Sequence, residues 1–383
     1  MINWKVILVF FFSVLTSQPF PQSYNFRNFN SEDGLTQPYI YSIIQDVRGY
    51  LWIGTDNGLF RYDGFKFENF TTIDSLAGNF VTSSINDGEG LWFGHKNGRL
   101  SYFNGKKFQA FSIPKSNGSQ ITHFAKSPDN RIWLSTYSDG LLKLGKDTGV
   151  VKHYLFKDPT IIISFDFLDN SELLVGTQTG LLYCRLKESG EIEIIRSVLE
   201  IPESKVTCIQ KMRNKSGFYI AAEDDGIFQL TNEDNLFKVS KIIADTDFDF
   251  TGIQYIYEDS QSNLWLCSKG KGNGLIKMSY SATGELTKII YFNKANKFAT
   301  DDVNTVYEDL EGNIWSGNFG QGLTQITPKT FSVYTIDKQL YGNDIFSIWF
   351  DRLNRWIGTE NGLVKMDLFT GKIVKFYSNI FVS

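Results

Sequence analysis

In 383 residues there are only three cysteines, three histidines, four methionines and eight prolines. Cys184, Cys208 and Cys267 lie inside apolar runs with no CxxC or Cys/His pairing, which excludes a zinc-finger spacing and makes them small core residues. Their odd number leaves at least one thiol unpaired, and a chain of this size needs no covalent staples. His95, His123 and His153 fall at no metal-ligand spacing, and no Ser or Cys nucleophile signature accompanies them, so neither metal nor cofactor is expected. Nor is there an excess of basic residues: 38 Lys+Arg face 42 Asp+Glu, a net charge of −4, which argues against a nucleic-acid partner.

Long apolar runs are also missing, with one exception. Val6 to Leu15 is apolar with Lys5 as the only preceding charge, too short to span a bilayer comfortably but right for a secretory leader. Residues 1–23 are therefore read as a signal peptide cleaved between Ser17 and Ser23. An uncleaved anchor or a buried strand is the alternative, because no A-x-A site follows. With no further span, the mature chain is expected to be periplasmic or secreted.

What the chain does have is Gly (33), Phe (33), Tyr (18) and Trp (8), the composition of aromatic strands cut by tight turns. Five-residue runs recur as LWIGT, LWFGH, IWLST, LLVGT, FYIAA, LWLCS, IWSGN and RWIGT. Their second residues are Trp52, Trp92, Trp133, Leu174, Tyr219, Trp265, Trp315 and Trp356, spaced by 40 to 50 residues. That period predicts an all-β propeller of four-stranded antiparallel blades over residues 24–383. An Asp/Asn/Gly turn precedes each run, and a second turn ending in Gly58, Gly98, Gly140, Gly180, Gly226, Gly274, Gly322 or Gly362 follows it, at positions that favour positive φ. Each repeat thus reads as strands a, b, c and d, with the Trp of strand b wedged between blades. Because Tyr24 to Phe29 resembles a ninth d strand, two closures are open. Either eight blades form the ring, or seven do and Phe331 onward begins a second module.

The segments QDVRGYLWIGTDNGLFRYDG (Gln45 to Gly64) and YEDLEGNIWSGNFGQGL (Tyr307 to Leu323) resemble the two-component regulator propeller repeat. The resemblance covers roughly residues 24 to 377, with repeats 4 and 5 lacking the Trp. It implies an extracytoplasmic sensor of a hybrid two-component system of the Bacteroidetes type, with a glycan or oligosaccharide as ligand and a histidine kinase module as partner. In that family two seven-bladed propellers precede a β-sandwich, a membrane helix and the kinase. This sequence carries eight repeats and no kinase segment, so binding without phosphorylation, and no enzymatic activity, is expected of it. Oligomeric state is left open.

Two other classes compete with this reading. The turn Asp309 to Trp315 is similar to the Asp-box of sialidases, so a propeller glycosidase or lyase is one alternative. None of the arginines falls in a predicted a strand, where a substrate carboxylate would need them, and the acidic turns recur with the repeat. Ser268 to Gly274 looks like a phosphate loop, but a strand rather than a helix follows it. A protein-binding propeller accessory to outer-membrane secretion is the third reading. In an a-up, b-down blade the b–c turns and d–a connections share one face, and these connections vary most. The ligand-binding candidates on that face are His95, Lys96, Tyr137, Glu223, Asp224, Lys269, Lys271, Asn318 and Phe319, which offer an aromatic surface and polar groups suited to a sugar.

Overall fold

A computed structural model describes residues 24–113, 118–145, 149–213, 215–233, 236–242, 250–270, 272–281, 283–328, 344–351, 353–367 and 373–378. Residues 1–23, Lys271 and residues 329–343 lie outside the described residues. No helix among them is long and apolar enough to cross a membrane, which says nothing of strands.

Seven four-stranded blades form a ring within residues 26–327, and the eighth repeat forms a sheet in a separate unit. The ring's innermost strands are Ile40–Gln45, Val81–Asn86, Ile121–Lys126, Ile162–Phe167, Val206–Lys211, Ile253–Glu258 and Val303–Glu308. Each touches the next, and the last touches the first. The open question of closure is therefore resolved at seven: the seventh sheet takes its outer strand from Tyr24–Phe29, paired with Leu323–Pro328. The outer strands Gly149–Phe156 and Glu191–Ser197 also pair in parallel, joining blades three and four at the rim.

All eight glycines predicted to close the b–c turns have positive φ, from Gly274 at 66° to Gly362 at 139°. The motif's Trp is explained by a turn carboxylate. Asp309 Oδ2 accepts the indole N–H of Trp315 at 2.7 Å, while Oδ1 accepts the backbone N–H groups of Glu311 and Asn313. Asp46, Asp87, Asp259 and Asp351 hold Trp52, Trp92, Trp265 and Trp356 in the same way, and Ser127 substitutes for the carboxylate under Trp133. One residue thus satisfies the indole N–H and tightens the turn, so these carboxylates are committed to structure.

The indoles of Trp52, Trp133 and Trp315 then wedge against the following blade. Trp52 is fully buried and lies against Phe93, Phe103 and Phe108 of the second blade. The motif's Gly has a different cause. A Cβ on Gly54, Gly94, Gly176 or Gly317 would sit 2.5–2.8 Å from a methyl of Val81, Ile121, Val206 or Ile40, the first inner-strand residue of the next blade. Small b-strand residues therefore let β-branched neighbours pack at the hub.

The same contacts close the ring. Ile40 fills the space over Gly317, Trp315 stacks on Phe29 at 5.7 Å, and Asn304 Nδ2 donates to Ile40 O. Leu310 N donates to Gln45 Oε1. The N-terminal strand is tied in by Thr324 Oγ1, which donates to Asn28 Oδ1 and accepts from Asn318 Nδ2.

Candidate functional site

Every inner strand of the ring carries a bulge at its second residue, where the register with strand b shifts. A bulge re-aims a side chain and increases local twist. Those bulged residues are Tyr41, Thr82, Thr122, Ile163, Thr207, Gln254 and Asn304. Thr82, Thr122, Thr207 and Asn304 use their side chains to bond the carbonyl of the next blade's first inner residue. The other three do not repeat that bond.

Beside the bulge, on the face of the b–c turns, two further residues meet in five of the blades. The backbone N–H of the residue after strand b donates to the carbonyl of the residue before strand a: Lys96 to Phe80, Tyr137 to Gln120, Glu223 to Lys205, Lys269 to Gly252 and Phe319 to Asp302. This fixed backbone bond presents unlike side chains around the mouth of the central channel. On one arc Tyr41 and Phe80 have ring centroids 4.7 Å apart, with Lys96 Nζ 4.8 Å above Phe80. Burial and the charge of Asp56 push the Tyr41 phenol up from its ordinary value, and Asp56 Oδ1 is buried with no hydrogen-bond partner among the described residues. On the other arc Tyr39 and Phe319 meet edge to face at 4.8 Å, and Lys269 Nζ stands 4.0 Å from the Phe319 centroid. Glu223 accepts from Lys205 Nζ at 3.0 Å and Gln254 Nε2 at 2.9 Å. Burial would raise its carboxyl, but these bonds and the charges of Lys205 and Lys269 hold it below its ordinary value, so it stays ionised.

Of the candidates named from sequence, Lys96, Tyr137, Glu223, Lys269 and Phe319 occupy this one register around the mouth. Asp224 is exposed beside it, its N–H on Ser204 Oγ. His95 and Asn318 need correction. They are the last residues of their b strands, fully buried, and their side chains point into the sheet: His95 Nε2 pairs with Ser101 Oγ at 2.8 Å, and Asn318 belongs to the latch on Asn28. Burial pushes the His95 imidazole down to about 4. The register also identifies residues that sequence reasoning missed, namely Asp56 and Gln178 after strand b, and Tyr39, Phe80, Lys205 and Asp302 before strand a. Counting one residue beyond each b strand would have found the first two.

The remaining imidazoles are engaged within the sheets. His123, on the third inner strand, lies edge-on to Phe165 and is pushed down to about 4 by burial, and His153 bonds the carbonyl of Asp139. The three cysteines are free and buried, as the sequence predicts.

Residues 34–57 match the family model described as two component regulator propeller. This segment is similar to that repeat. Among solved structures, the chain is similar to the extracellular domain of a hybrid two component system of B. thetaiotaomicron, with a TM-score of 0.65 and 22% identity over 93% of this chain and 49% of that one. A second such domain from the same organism gives 0.59 and 19% over 94% and 48%, so the chain spans about half the length of these domains. A catalytically inactive variant of virginiamycin B lyase from Staphylococcus aureus with quinupristin gives 0.60 and 15% over 80% and 99%. At these identities the likeness is one of fold. No curated protein matches.

Proposed function

We propose that the ring is a non-catalytic, extracytoplasmic sensing propeller that binds an oligosaccharide at the channel mouth on the b–c face. The carrying observation is the contrast between a repeated backbone and unrepeated side chains. The bond from the residue after strand b to the residue before strand a recurs in five blades, yet the groups around it are two aromatic pairs, cations over both, an ionised Glu223 and a buried Asp56 oxygen with no described donor. An acceptor without a donor suits a hydroxyl-rich ligand, and aromatic faces suit the apolar face of a sugar ring. The repeat match and the hybrid-system neighbours support a sensory role for such a ligand. Isothermal titration against a panel of plant and host oligosaccharides tests this reading. Binding without product, weakened at least tenfold by Phe319→Ala or Asp56→Ala, is the expected result. Product formation would transfer the chain to the lyase or glycosidase class, and absence of binding to the whole panel would leave the face to a protein partner.

A further inference from the structure

A second feature lies on the opposite face of the ring. Between the fifth and sixth blades is a cavity of about 580 Å3, within the range of small-molecule sites. Its position coincides with a break in the repeat. In blades one, two, six and seven the wedge is a Trp held by a turn carboxylate, whereas blade five has Tyr219, with Arg213 six residues before it. The smaller ring leaves the space between the sheets unfilled. Tyr219, Gln229 and Ser240 line it from the fifth blade, and Glu258, Tyr280 and Ser281 from the sixth. The turns that border it, near Met212, Gln261 and Gly284, belong to the a–b and c–d face, away from the channel mouth.

Two polar groups in the cavity wall point to an occupant. Tyr280 Oη is buried with no hydrogen-bond partner among the described residues, an unfavourable state when nothing fills it. Glu258, only 4% exposed, uses Oε2 to accept the Arg213 N–H at 2.8 Å. Burial raises both tyrosine hydroxyls, Tyr219 to about 12, so they remain neutral donors. Lys215 and Lys241 also line the walls and outnumber Glu258 by one positive charge.

We propose that this inter-blade cavity is a second binding site, for a small molecule rich in hydroxyl groups, anchored by a hydrogen bond from Tyr280 Oη. The site stands independently of the channel mouth. Saturation-transfer NMR of the whole chain with glycerol, D-xylose, D-glucose, maltose and cellobiose at millimolar concentration tests it. At least one probe should bind. Tyr280→Phe, which removes only the hydroxyl, should weaken that probe about tenfold. Tyr219→Trp, which refills the wedge, should abolish binding while the thermal midpoint stays level or rises, and Phe319→Ala at the mouth should leave the probe's affinity unchanged. Binding that survives both Tyr280→Phe and Tyr219→Trp, or no binding by any probe, would overturn the proposal.

Discussion

The seventh and eighth repeats carry nearly the same instruction and meet different fates. IWSGN and RWIGT both form a b strand, both turns place an Asp on the indole N–H, and both b–c glycines are left-handed. In the ring, Val303 and Val306 of the inner strand are 0% and 1% exposed. In the eighth sheet, Phe346, Ile348, Trp349 and Phe350 of the equivalent strand Ile345–Phe350 are 52–63% exposed. The motif therefore builds a sheet from local contacts, whereas burial of its inner strand is supplied by flanking blades. Closure, not folding of the blade, is what the ring adds.

The sharpest break of that comparison is at the wedge. Trp315→Ala removes a buried side chain shared with Phe29 and Tyr62 of the closure and should cost about 3–5 kcal/mol in urea unfolding. Trp356→Ala, in a half-buried position, should cost clearly less. Equal costs would mean that closure contributes nothing to the ring.

Acid separates the two regions next. All three histidines belong to the ring, and the His95 imidazole is held at about 4 in the folded state against about 6.5 when unfolded. A depressed folded value stabilises above the unfolded one, so the ring should lose stability as pH falls from about 6.5 to 4, by on the order of 3 kcal/mol for His95, with His123 acting in the same direction. Urea midpoints near pH 7 and near pH 4.5 measure it, and His95→Gln should shrink the loss.

At the hub, Gly317→Val would drive a side chain into Ile40, whose methyl would lie 2.5 Å from the new Cβ. Overpacking should cost about 1–3 kcal/mol, partly recovered by Ile40→Ala in the double variant. A variant as stable as the parent would show that the inner strands of the first and seventh blades are not in contact. The smallest effect concerns the eighth sheet. The Trp356 indole and the N–H of Leu353 hold the Asp351 carboxyl at about 2. Its stabilisation is present above about 4 and is lost as pH falls through about 2, a window below that of the ring. The 13C carboxyl shift of Asp351 reports it.

Much of this was legible in the sequence because a propeller repeats its local demands. Strands, turns, left-handed glycines and the structural role of the acidic turns all follow from the spacing of Trp52 through Trp356. Closure was not legible, since Tyr24 to Phe29 reads as an outer strand for either count, and its choice of the seventh sheet depends on long-range contacts such as Asn28 with Thr324. Side-chain direction at strand ends was only half legible. His95 and Lys96 are adjacent, yet one enters the sheet and the other the mouth, because alternation along a strand sends neighbours to opposite sides. The bulges that aim Tyr41 and Gln254 leave no mark in a single sequence.

Hydrogen exchange along the whole chain tests the ring's closure most directly. Closure at seven blades predicts that amides of Tyr24–Phe29 and of residues 323–327 are protected together with Leu51–Thr55, while Ile345–Phe350 exchanges sooner. If Tyr24–Phe29 exchanged as fast as Ile345–Phe350, the N-terminal strand would not be the latch and the seven-bladed account would fail.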